Sequence, residues 1–157
     1  MLNLSEDVYC ALGRVVVGAA YFDDLLAGVV IRLLDSDNAG IVIAGQSYSY
    51  LDQAARALGK KTLSVDLNDE LVSLLDDVKP LHIKRDLVVH GIWLPHPDEV
   101  HKIWDDEPSI SQHLTLRKRR WKTDLHGEFI SLNEIMNLAA ELEIMADRVK
   151  ELLTRTW

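Results

Sequence analysis

The sequence predicts a mainly α-helical domain: a four-helix, up-down bundle with a β-hairpin inserted between the third and fourth helices. Three observations carry that prediction. Long stretches at both ends and in the middle place apolar residues at three- and four-residue steps, the signature of amphipathic helices. Residues 98–130 lose that period and alternate instead. Clusters of turn-forming residues separate the stretches.

The first helix is expected over about residues 5–35. Ser5 is a candidate N-cap, and Glu6 and Asp7 fall in the first turn, where the helix dipole favours acids. Val8, Leu12, Val15, Val16, Ala19, Phe22, Leu26, Val29, Val30 and Leu33 then recur on one face. Gly13 and Gly18 interrupt it, which close packing against another helix would explain. Asp35-Ser36-Asp37-Asn38-Ala39-Gly40 is a stop. Ile41–Ala44 either starts a second helix or precedes it. Ser47 and Ser49 are candidate caps, and Leu51, Ala54, Ala55 and Leu58 form a short helix that Gly59 is expected to end. A third helical pattern runs from about Asn68 to Gly91, its apolar positions Leu71, Leu74, Leu75, Val78 and Leu81 continuing to Val88 and Ile92; Pro80 makes it one bent helix or two short ones, and the bent helix is expected. Leu94-Pro95-His96-Pro97 ends it.

Val100, Lys102 and Trp104 alternate with His101 and Ile103. A turn follows at Asp105-Asp106-Glu107-Pro108-Ser109, and then a strand from His113 towards Trp121. The last helix, about 131–155, opens with a capping box at Ser131 and Glu134. It carries Leu132, Ile135, Met136, Ala139, Leu142, Met145, Val149, Leu152 and Leu153 on its apolar face, Met136 and Met145 as core filling.

Composition bounds the function. The 157 residues suit one domain, 1–157, and 48% hydrophobic with 27% charged residues is a globular balance that needs no disulfide or metal staple. The lone Cys10 has no internal partner and is expected to be a small buried thiol. No apolar run approaches the roughly 18 residues that span a membrane, and the start has no secretory pattern, so a soluble cytoplasmic protein is expected. The net charge of −8 argues against broad electrostatic attachment to nucleic acid, though less against brief contact with an RNA substrate.

The chemistry-bearing stretch is Lys84-Arg85-Asp86-Leu87-Val88-Val89-His90-Gly91-Ile92-Trp93. Asp86 and His90 are four apart, so a helix makes them neighbours, and a carboxylate there can orient an imidazole and favour its protonated form. Arg85 offers a planar fork of donors suited to phosphate. A proton-transfer group, an orienting group and an anion clamp together suit phosphodiester chemistry. The same residues also suit a structural role, capping carbonyls or pairing with acids of another helix.

A second feature is Arg117-Lys118-Arg119-Arg120-Trp121-Lys122, a basic run with one aromatic, which could guide single-stranded RNA. Alternatively it is a solvated strand edge guarded against aggregation, or a partner for Asp105, Asp106 and Glu107. His96, His101, His113 and His126 lack metal-ligand spacing, and no cysteine joins them, so neither metal nor cofactor is expected. Trp93 and Trp104 read as packing groups. No glycine-rich phosphate loop and no nucleophile elbow occur.

Arg85-Asp86-Leu87-Val88-Val89-His90 resembles the signature of the HEPN superfamily: arginine, a polar residue, a few more residues, then histidine. The helix order resembles that of HEPN domains over most of the chain, while the specific part is these six residues with Gly91, Ile92 and Trp93 behind them. The resemblance implies metal-independent RNA cleavage by a homodimer whose motif helices share a composite cleft. His90 would exchange a proton with the ribose 2′-hydroxyl or the leaving oxygen, Arg85 would hold the scissile phosphate, and Asp86 would orient them. It further implies a toxin or defence effector with a cognate antitoxin or regulatory protein. Ile92 stands where some members carry a tyrosine that a partner nucleotidyltransferase modifies, so that form of control is not expected. Other HEPN-like domains are non-catalytic dimerisation or nucleotide- or protein-binding modules, which is the rival reading, with a plain structural bundle as a third.

Overall fold

The computed structural model describes residues 6–95, 113–118 and 125–155, and its secondary structure is mostly helical. Of the expected apolar stripe, Val8, Val15, Ala19, Phe22, Leu26, Val29, Val30 and Leu33 are buried, joined by Ala11, whereas Leu12 is only partly buried and Val16 is exposed; the stretch folds as α1, Glu6–Leu34. Glu6 and Asp7 lie in its first turn; Ser5, the expected cap, lies outside the described residues. Asp35 follows in a left-handed conformation, φ 44°, which a short polar side chain tolerates at a helix end.

Two of the readings on α1 are corrected. Cys10 is exposed, because its position falls between the buried Val8 and Ala11 on the opposite side of the 3.6-residue turn. Gly13 makes no close approach, since a Cβ there would meet no atom within 4 Å.

Two helices follow: α2, Ala39–Ile43, and α3, Tyr48–Thr62. Ser47 caps α3 from an extended conformation, its Oγ accepting from the Tyr50 amide at 3.4 Å. Gly59 does not end α3 but lies inside it, one turn before the last residue. A Cβ at Gly59 would come within 3.0 Å of Leu71 Cδ2 and 3.2 Å of Asn68 Oδ1, so the glycine allows close approach of the next helix. That helix, α4, runs Val65–His90 as one element through Pro80.

Three strands form an antiparallel sheet in the order β1-β2-β3: β1 is Ile92–Pro95, β2 His113–Lys118 and β3 Leu125–Ile130. Ile92 pairs with Leu116, and Leu114 with Phe129. The alternating stretch Val100–Trp104 and the turn Asp105–Ser109 lie outside the described residues. The partners observed for β2 are instead β1 and β3. Ile92, read as continuing the helical pattern, and Leu94-Pro95, read as its stop, lie in a strand because Ile92 and Trp93 favour extended backbone and Pro95 restricts Leu94 to that region.

Helix α5 spans Leu132–Arg155. Its capping box is formed: Ser131 donates to Glu134 Oε2 from its amide at 2.7 Å and its hydroxyl at 2.9 Å, and the Glu134 amide donates back to Ser131 Oγ at 3.3 Å. These bonds hold the Glu134 carboxyl below its ordinary pKa, first through the Ser131 amide, with Lys84 adding a smaller pull. Met145 packs on the core, but Met136 is 45% exposed, one position beyond the buried Ile135.

Contacts divide the chain into two compact units, Met1–Val16 with His82–Ala140, and Val17–Leu81 with Glu141–Trp157. In the second, Phe22, Leu26, Leu51, Leu74, Leu75 and Leu152 lie in one buried cluster. At its surface Arg148 meets Asp77 at 2.7 Å, Arg56 meets Asp52 at 3.1 Å and Asp76 at 2.8 Å, and Arg155 meets Glu70. In the first unit Val8, Ala11, Val15, Leu87, Val88, Ile130, Ile135 and Leu138 are buried. Among the described residues no helix is long and apolar enough to cross a membrane.

Candidate functional site

The Arg85–His90 stretch forms the last two turns of α4, in the first unit. Leu87 and Val88 bury one face, and this fixes the rotation of the helix so that Arg85 and Asp86 are half-buried and His90 is exposed. The amide of Gly91 donates to the Leu87 carbonyl at 2.8 Å and carries the helical ladder one residue further, before β1 begins.

Arg85 Nη1 donates to Asp86 Oδ1 at 2.9 Å, the two side chains being 23% and 41% exposed. Arg85 Nε is buried with no hydrogen-bond partner among the described residues. Spacing suggested that Asp86 would orient His90, but the carboxylate accepts from Arg85, and among the described residues no hydrogen bond joins Asp86 to His90. The long Arg85 side chain folds onto the adjacent carboxylate, and His90 stays exposed at the end of the helix.

His82 is the residue the motif overlooks. It precedes Arg85 by three positions and Asp86 by four, which places all three on neighbouring turns. Its side chain is only 5% exposed. Burial, followed by the Arg85 charge, pushes its pKa down to about 4, against an opposing pull from Asp86. The imidazole is therefore neutral at physiological pH. The signal was available, because His82 continues the buried line Leu71, Leu75, Val78 at helical spacing.

This end of α4 thus offers a partly exposed guanidinium, a carboxylate that steadies it, and an exposed imidazole one turn beyond that carboxylate. Those groups can hold an oxyanion and move a proton. Of the basic run, Arg117 and Lys118 belong to β2, with Arg117 opposite His126 and Lys118 opposite Leu125. Arg119, Arg120, Trp121 and Lys122 lie outside the described residues, as do Trp104, His96 and His101. His113 sits in β2, opposite Pro95 and Ile130. Among the described residues no group of three or more His, Cys, Asp or Glu side chains is placed to hold a metal.

No protein-family model matches the chain, and no curated protein or solved structure is significantly similar to it.

Proposed function

We propose that the protein is a metal-independent endoribonuclease of the HEPN type, its four longer helices α1, α3, α4 and α5 forming an up-down bundle with a β-hairpin inserted between α4 and α5. In this reading it works as a cytoplasmic homodimer, the toxin or effector of a defence or toxin–antitoxin pair held in check by a cognate antitoxin. The observation that carries the reading is the end of α4, where an exposed His90 follows by five positions an Arg85 whose guanidinium is steadied by Asp86 and partly exposed. His90 takes the proton of the ribose 2′-hydroxyl or gives one to the leaving 5′-oxygen. The 2′-oxygen bonds to phosphorus as the bond to the 5′-oxygen breaks, leaving a 2′,3′-cyclic phosphate and a 5′-hydroxyl. Arg85 binds the charge that grows on the phosphoryl oxygens, and Asp86 fixes the guanidinium rather than the imidazole. A second subunit brings its own α4 end to complete the cleft, and the basic run from Arg117 to Lys122 leads RNA towards it.

The Arg85–Asp86 pair also favours a second reading, a non-catalytic HEPN-like module for dimerisation or for binding a nucleotide or protein. An arginine already held by its own chain is a structural group.

The test is incubation of the purified protein with a mixed RNA pool in a chelator, beside His90→Ala and Arg85→Ala. Wild-type cleavage to cyclic-phosphate ends, reduced by about a hundredfold or more in each variant, is the expected outcome. Cleavage that survives both substitutions excludes the mechanism. Absence of cleavage with a stable dimer favours the module.

A further inference from the structure

We draw no further inference here: the strongest candidate, the exposed apolar face of α1 that Tyr9, Val16, Val17 and Tyr21 present, carries nothing, because nothing in the structure shows what covers it.

Discussion

His82, a neutral imidazole buried one turn before an arginine, couples the stability of the α4 end to acid. Its folded pKa lies near 4 against an ordinary 6.5, so the unfolded chain takes up a proton that the folded chain refuses. The stabilisation is complete above pH 6.5 and is lost as pH falls towards 4, by about 3 kcal/mol in full. His82→Gln removes that dependence, and denaturant unfolding at pH 7 and pH 4.5 measures it: the gap between the two pH values is expected to shrink in the variant. The Arg85, Asp86 and His90 stretch was legible in the sequence because its residue types and helical spacing are local facts. Which partner Asp86 chooses was not, since Arg85 and His90 are both within reach and burial of Leu87 and Val88 decides the rotation. Cys10 was misread for the same reason: one residue of helical phase separates it from the buried Ala11.

At the scale of elements, helix starts were the most legible. Ser131 and Glu134 form the box that their spacing implies, and Ser47 caps α3. Ser131→Ala is expected to lower stability by about 1 kcal/mol, read as a shift in the urea midpoint with an unchanged slope. Protonation of Glu134 loosens the same cap. Its folded pKa lies below the ordinary carboxylate value, so the cap's contribution is present above that value and fades as pH falls. Helix ends were less legible. Gly59 has the composition of a stop, yet it sits inside α3, because the contacts that select a glycine are made by Asn68 and Leu71, nine and twelve positions away. The sheet was least legible. Pairing of β1 with β2 joins segments about twenty residues apart, and strand preference depends on such neighbours more than on the residues themselves.

At the scale of the molecule, the helical class follows from the number of apolar stripes and from a composition that needs no staple, and the buried stripe of α1 carries it furthest. The net charge of −8 keeps copies of the chain apart unless specific contacts hold them, so a homodimer would have to be built on a defined surface. The exposed Cys10 makes that measurable. As the only cysteine, on a long helix, it accepts a single nitroxide at a known position without any other substitution. In a two-fold dimer the labelled protein carries one pair of spins, and pulsed dipolar spectroscopy is expected to return a single narrow distance that disappears on dilution with unlabelled chain. A trace with no dipolar modulation at high concentration would leave each α4 end to act alone. The thiol misjudged from the helical pattern thus becomes a built-in ruler for the assembly on which the ribonuclease reading depends.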